Sequence, residues 1–261
     1  MSKTLKFFLL IIVIISVIVT LSSYTSWKNQ KEKLRFIKFV TDNGGTLEYG
    51  YSPWINKCPD FIRDYLVEFS EEVIITIDLS WANTKDLSLL KSQTSLYELN
   101  LVYNRVEDLS FLSELVNLRK LNIEGTKISN LEIIENLRNL KYLDLSRTKI
   151  KDLNKLENLQ ALKNLRLFTN EISDLRPLQN LVLLEELDLR NTEVEDINPL
   201  RNLVKLETLN LSLTRIKNLD SLEELKNLRT LVLSNTSIDT SEMDKLKSKL
   251  PKLNIDNDED F

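Results

Sequence analysis

Leucine or isoleucine recurs at three positions of a 22-residue period along most of this 261-residue chain. The first of these positions runs without a slip from Ile74 to Leu250, and the other two follow three and five residues later. This spacing predicts a short strand in each period, because alternate side chains of a strand share one face. A fixed period of this size is typical of a solenoid, in which each unit buries its apolar edge against its neighbours.

The rest of each period predicts an inward polar side chain and a turn. The ninth position holds Asn or Thr, which we expect to bond backbone groups that the curved chain leaves unpaired. These residues are Asn104, Thr126, Thr148, Asn170, Thr192, Thr214 and Thr236. Apolar residues at the fourteenth, seventeenth and twentieth positions have the three-residue spacing of a helical or 3₁₀ turn on the opposite side.

The period divides the chain into four parts. Residues 1–28 form an apolar anchor or signal segment, and residues 29–73 form an amino-terminal cap that breaks the period. Residues 74–249 hold eight repeats of this period, and residues 250–261 hold a last strand and an acidic tail. We therefore expect one elongated array with a cap at each end.

Both caps carry helix signals. The amino-terminal cap predicts a helix that Gly44 and Gly45 stop, with an inward face formed by Leu34, Ile37 and Val40. A strand at Thr46–Tyr51 and a second helix opening at Pro59 follow. At the other end, a terminal helix is expected to start at Ser241, before a strand at Leu253–Ile255. Its buried stripe would be Met243, Leu246 and Leu250.

The amino-terminal segment predicts membrane attachment. Lys3 and Lys6 precede an apolar stretch from Phe7 to Leu21, and Tyr24 and Trp27 would lie at the interface. A cleaved secretory signal peptide is the alternative, although no Ala-x-Ala site follows. We expect a single-pass protein with its repeats outside the cytoplasm, periplasmic or on the cell surface, or a secreted protein if the segment is cleaved.

Composition argues against an enzyme. The chain has no histidine, four glycines and one cysteine, Cys58, so it holds no His-based triad, no histidine-ligated metal site, no glycine-rich phosphate loop and no internal disulfide. Its net charge of −4 gives no basic footprint for nucleic acid. We therefore expect a non-enzymatic protein without cofactor, metal or nucleic-acid partner.

Two stretches carry a family resemblance. Residues 174–181 and 196–203 fit the pattern D-[IL]-x-P-L-x-x-L. The repeats resemble the 22-residue leucine-rich class of bacterial internalin-like proteins and eukaryotic phosphatase regulatory subunits. The resemblance implies an α/β leucine-rich repeat solenoid, a curved right-handed stack with a parallel sheet on its concave face. It also implies a protein-binding role.

The concave face is expected to display the third, fifth and seventh positions of each repeat. Most of these residues are small and polar, and Ser146 and Ser234 of the seventh position are expected to face solvent. The exceptions suggest a protein-binding patch, formed by Tyr142, Arg147, Arg166, Phe168 and Arg190. In the alternative interpretation, Asp144, Arg166 and Asp188 neutralise one another in a single column.

A secondary candidate patch lies near the amino-terminal end of the array. It consists of Trp81, Val102 and Tyr103, and the alternative is that Trp81 packs against the cap. Three functions remain open. The first is a membrane-tethered module that binds a protein partner. The second is a structural envelope protein that self-associates as a spacer, and the third is an intracellular scaffold similar to phosphatase regulators.

Overall fold

The computed structural model describes residues 34–51 and 72–257. The chain divides into two compact units, Met1–Asp42 and Asn43–Phe261. The segment 1–28, the helix expected from Pro59 and the acidic end beyond Asn257 lie outside the described residues. Within the described ranges, no helix has both the length and the apolar character that crossing a membrane requires.

The described part of the first unit is a helix, α1, over residues 34–42. Phe36 and Val40 are 3% and 0% exposed, whereas Leu34 is 64% exposed. The predicted inward face is therefore wrong for Leu34, since the buried stripe includes Phe36, which lies one helical turn before Val40. The helix ends where predicted, and Gly44 follows with φ of 74°, a conformation that glycine adopts without a side-chain penalty.

The second unit contains a sheet of ten described strands that follow one another in chain order. They are β1 Thr46–Tyr51, β2 Glu72–Asp78, β3 Glu98–Asn100, β4 Lys120–Asn122, β5 Tyr142–Asp144, β6 Asn164–Arg166, β7 Glu186–Asp188, β8 Thr208–Asn210, β9 Thr230–Val232 and β10 Asn254–Asp256. The strand predicted at Thr46–Tyr51 is confirmed, and it pairs antiparallel with β2. Strands β2 to β10 are parallel, which confirms the predicted solenoid.

The register of the sheet equals the period of the sequence. Between β2 and β9, each residue pairs with the residue one period further on, so that Leu121 faces Leu143 and Leu143 faces Leu165. These central leucines are completely buried. Each repeat therefore adds one layer to a continuous apolar core that depends on its neighbours.

The opposite side of each repeat is a 3₁₀ turn, as the apolar spacing predicts. The turns lie at Ser88–Ser92, Ser110–Glu114, Glu132–Asn136, Asn154–Leu156, Arg176–Leu178, Asn198–Asn202 and Asp220–Leu222. The Asp or Asn two residues before each turn accepts its first backbone N–H, for example Asp86 from Ser88 at 2.9 Å. Hydrogen bonds from Ser88 lower the pKa of the Asp86 carboxyl. This capping column was not predicted from the sequence.

The inward role of the ninth position is confirmed. The Thr126 hydroxyl donates to the Ile123 carbonyl at 2.7 Å, and later threonines of the column repeat this bond. The Asn170 amide also donates to the Leu145 carbonyl of the preceding repeat at 2.9 Å. The column therefore satisfies buried carbonyls and, at its asparagines, links successive repeats.

The array ends in helix α2, Thr240–Lys249, followed by β10. The Asp239 carboxylate caps the helix by accepting from the Glu242 backbone N–H at 2.9 Å, so the predicted start at Ser241 is wrong. An aspartate oxygen competes well for this position, and Ser241 bonds Asp239 instead. The predicted buried stripe of Met243, Leu246 and Leu250 is confirmed.

The seventh position does not face solvent as expected. Ser146 is 0% exposed and Ser234 is 4% exposed, so both predictions are wrong. The reason is the length of the strands, since β3 to β9 cover only the third to fifth positions and the alternation of faces ends there. The Ser146 hydroxyl oxygen has no hydrogen-bond partner within the described structure.

We predict opposite effects of truncating two buried side chains in this stack. Leu165→Ala should lower the free energy of unfolding by about 2–5 kcal/mol, because the cavity would lie in the middle of the core. Ser146→Ala should leave it unchanged or raise it by about 1 kcal/mol, because it removes an unpaired buried hydroxyl. Urea unfolding measures both, and equal losses at the two positions would contradict the repeat frame.

Candidate protein-binding face

The eighth position of every repeat has a left-handed backbone. The φ angles lie between 52° and 68° at Trp81, Tyr103, Gly125, Arg147, Thr169, Asn191, Leu213 and Asn235. This conformation is uncommon for residues other than glycine. A backbone bond to the next repeat accompanies it, as when the Trp81 N–H donates to the Val102 carbonyl at 2.7 Å. The fold thus places one side chain per repeat at the edge of the sheet face.

Two of these side chains form an aromatic stack. The rings of Trp81 and Tyr103 lie 4.3 Å apart and 23° from parallel. Trp81 is 72% exposed, which disagrees with the alternative that it is buried against the cap. Val102, the third residue of the predicted patch, lies half-buried beside them in the chain. The structure therefore brings this secondary candidate patch together as an exposed aromatic surface.

Gly125 supports the stack from the next repeat. A Cβ atom at Gly125 would lie 2.4 Å from the Cδ1 atom of Tyr103, so the tyrosine ring occupies the space that a side chain would need. Trp81, Tyr103 and Gly125 thus succeed one another in the eighth column, each in contact with the next.

The central candidate residues also lie together, in what we call the arginine cluster. It comprises Glu124, Tyr142, Asp144, Arg147, Arg166, Phe168, Asp188 and Arg190. The guanidinium carbons of Arg147 and Arg190 lie 5.4 and 4.8 Å from the centre of the Phe168 ring. That of Arg166 lies 5.7 Å from the Tyr142 ring. Cation–π contacts of this kind contribute about 0.5–1 kcal/mol each at exposed sites.

Phe168 does not project into solvent as predicted. Its side chain is 9% exposed, because two arginines contact the ring and the seventh position falls beyond the strand. Truncating Phe168 would therefore disturb the packing of the cluster itself, and the ring positions guanidinium groups instead of presenting its own surface. Arg166, by contrast, is exposed.

The cluster balances three arginines with three carboxylates. Asp144, Arg166 and Asp188 are register partners on adjacent strands, as the neutralisation alternative supposes. Burial raises the pKa of Asp188 above its usual range, although Arg190 and Arg166 oppose this rise. Burial and the nearby Asp144 raise the pKa of Tyr142 to about 12, so its hydroxyl stays protonated and donates to Asp144 at 3.3 Å.

Arg166 breaks a structural rule of the fifth position. In six of the eight repeats an Asp or Asn at this position accepts the backbone N–H two residues later. Arg166 has no acceptor oxygen, and Val232 is the other exception. Arg166 therefore cannot accept the backbone hydrogen bond that six other repeats make at this position. Its exposed guanidinium group is a candidate for contact with a partner.

A groove lies at the entry to the first strands, beside the arginine cluster. Its volume is about 620 Å³, and the second and third positions of the first five repeats line it. The lining contains four cations, Arg119, Lys120, Lys141 and Lys163, and one carboxylate, Glu98. We call this feature the basic groove. It was not predicted from the sequence.

Metal-binding clusters of three or more His, Cys, Asp or Glu residues are absent from residues 34–51 and 72–257. Several carboxylates of the sheet face pair instead with cations or backbone N–H groups: Glu124 lies 3.6 Å from Arg147, and Asp188 accepts from the Arg190 N–H at 3.0 Å.

Comparisons with known proteins agree with this architecture. A family model described as leucine-rich repeats in two copies matches residues 116–158 and 138–180. The chain therefore has the fold of a leucine-rich repeat solenoid. No curated protein sequence matches it.

Solved structures similar to this chain include two internalins from Listeria monocytogenes. One, inlF, has a TM-score of 0.63 and 29% identity, and the alignment covers 66% of this chain and 51% of that chain. The other, inlC2, has a TM-score of 0.65 and 29% identity, covering 72% and 86%. A leucine-rich repeat protein from Leptospira interrogans has a TM-score of 0.52 and 22% identity, covering 69% and 59%, and shows the shared fold only. This chain spans about half of the first internalin.

We predict that Gly125→Ala destabilises the repeat array and disturbs the aromatic stack. The left-handed φ of 68° alone should cost about 1 kcal/mol, and displacing the Tyr103 ring should add to it. Urea unfolding measures the total, and tryptophan fluorescence reports the change around Trp81.

Gly44→Ala is the matched control, because Gly44 has φ of 74° but no atom lies within 4 Å of the place that an alanine methyl group would take. Its cost should equal the backbone part alone. Removing the ring with Tyr103→Ala should relieve the excess cost of Gly125→Ala by about 0.5 kcal/mol or more. Equal costs at Gly44 and Gly125 would show that Tyr103 does not depend on the glycine.

Proposed function

We propose that this chain is a non-enzymatic, membrane-tethered interaction module that presents its sheet face to a protein partner outside the cytoplasm. The exposed Trp81 stacked on Tyr103 is the observation that carries the proposal. An indole buries about 150–250 Å² when covered, so covering its exposed part is worth about 3–4 kcal/mol before the costs of association. Isolated apolar side chains are common on surfaces, but a tryptophan pre-stacked on a second ring loses little rotamer freedom when a partner covers it.

The arginine cluster is the proposed second contact area. Arg147 and Arg166 expose guanidinium groups, and aromatic contacts hold the arginines in place. Arginine and aromatic residues dominate the energetics of interfaces, and a pre-positioned guanidinium loses less freedom on binding. In this proposal Tyr142, Arg147, Arg166 and Arg190 meet the partner, while the Phe168 ring positions Arg147 and Arg190 and the Tyr142 ring positions Arg166.

Tethering rests on the sequence. The stretch from Phe7 to Leu21 is apolar, with lysines before it and aromatic residues after it. The internalin-like neighbours support a surface or extracellular location. The repeats themselves support a protein-interaction module, since an extended sheet face is the surface that such arrays offer.

Photo-crosslinking on the complete chain in native membranes tests the proposal. A photoreactive amino acid replacing Val102, beside the aromatic stack, should yield a discrete crosslinked protein. Trp81→Ala should reduce that product at least tenfold, because a truncated interface anchor costs about 2 kcal/mol or more.

The control places the same photoreactive group at Asn198, which is exposed on the 3₁₀ side, where no product is expected. The chain lacking residues 1–28 should leave the membrane fraction. A crosslink of the chain to itself would favour the self-associating spacer, and equal products at both positions would reject the sheet face as the binding surface.

A further inference from the structure

The second position of the repeats places three cations directly before three successive strands, at the basic groove. Arg119, Lys141 and Lys163 follow one another at intervals of one period, directly before β4, β5 and β6. Neighbouring parallel strands lie about 4.8 Å apart, so these cations form a row of like charge. Like charges opposite each other on adjacent strands are destabilising.

The neighbouring acidic groups compensate this row only in part. Lys163 pairs with Glu185, and Lys120 pairs with Glu98. In the part of the chain that the structure describes, the Lys141 ammonium group has no ion-pair or hydrogen-bond partner. The groove therefore carries four cations against one lining carboxylate, on a chain whose net charge is −4. This local excess of positive charge is complementary to an acidic ligand.

Aromatic rings lie among these cations. Tyr97 and Tyr142 line the groove, and the Arg119 guanidinium carbon lies 4.8 Å from the centre of the Tyr97 ring. Ile75 adds an apolar side chain at one end. A ligand that carries only charge would make no apolar contact with these rings. A peptide can supply both carboxylates for the cations and apolar side chains for the rings.

The length of the groove fits an extended chain. It crosses five repeats, a distance of roughly 19 Å, which corresponds to about six residues of extended peptide. The backbone is already paired here, since the Tyr97 carbonyl accepts from the N–H groups of Arg119 at 2.8 Å and Lys120 at 3.0 Å. Recognition would therefore use side chains and not addition of a strand.

We propose that the basic groove binds an acidic, extended protein segment in which carboxylates alternate with apolar or aromatic residues. The proposal rests on the proposed function in that the partner is a protein. It adds a second site, separate from the aromatic stack, and names the chemistry of the segment that this site takes. Because charge supplies much of the attraction, binding should weaken as salt rises.

Fluorescence anisotropy on the full chain in non-ionic detergent tests this site. The probe is a labelled octapeptide in which glutamate alternates with tyrosine and valine. It should bind saturably, and replacing its glutamates by glutamine should abolish binding. Lys141→Glu should weaken binding at least tenfold, and Tyr97→Ala should weaken it at least threefold. Circular dichroism verifies that both variants fold.

The matched control is Lys205→Glu, which makes the same charge change at an exposed lysine outside the groove. It should change binding less than twofold. Equal weakening by both substitutions would show an effect of net charge and overturn the site. Inorganic polyphosphate that competes as well as the peptide, with no effect of Tyr97→Ala, would show a general polyanion site and also overturn the proposal.

The groove and the aromatic stack are tested separately. The peptide measurement with Lys141→Glu tests only the basic groove. The crosslink at Val102 tests the proposed function, whatever the peptide measurement shows. A crosslink that does not depend on Trp81 would reject that function while leaving the groove measurement intact.

Discussion

The stacking of one repeat on the next is the interaction on which the rest of the structure depends. Central leucines of β3 to β9 face each other across a register of one period, and parallel backbone bonds hold that register. No single repeat buries its apolar edge alone. Every other feature, from the 3₁₀ turns to the left-handed eighth position, recurs because this layer recurs.

Stacking of the repeats constrains the buried positions and leaves the surface positions free to vary. We therefore expect function at surface positions where one repeat has a residue type different from that of the other repeats. Arg166 replaces an Asp or Asn that bonds the backbone in six other repeats. Trp81 and Tyr103 adopt a left-handed backbone that favours glycine, and they place two stacked rings at the edge of the sheet. The basic groove and the aromatic stack are chemically different surfaces, which suits a partner that makes contact at more than one point.

Hydrophobic periodicity was sufficient to predict the solenoid, its strands and the inward ninth column, because one pattern repeats eight times. It failed where side-chain direction depends on strand length, so Ser146 and Phe168 are buried although alternation placed them in solvent. The sequence predicted a patch of Trp81, Val102 and Tyr103 but not the role of Gly125. The eighth position holds different residue types in different repeats, so its shared left-handed conformation cannot be read from the sequence. The basic groove was not predicted, because Arg119, Lys141 and Lys163 lie one full period apart in the sequence and come together only in the folded array.

Deleting one whole repeat tests most directly whether each layer depends only on its neighbours. Removal of residues 206–227 joins equivalent positions and leaves the aromatic stack, the arginine cluster and the basic groove intact. Hydrogen–deuterium exchange should then show unchanged amide protection in β3 to β6, whereas removal of only residues 206–216 should expose the adjoining strands. Loss of protection in β3 to β6 after the full-repeat deletion would contradict stacking between nearest neighbours alone.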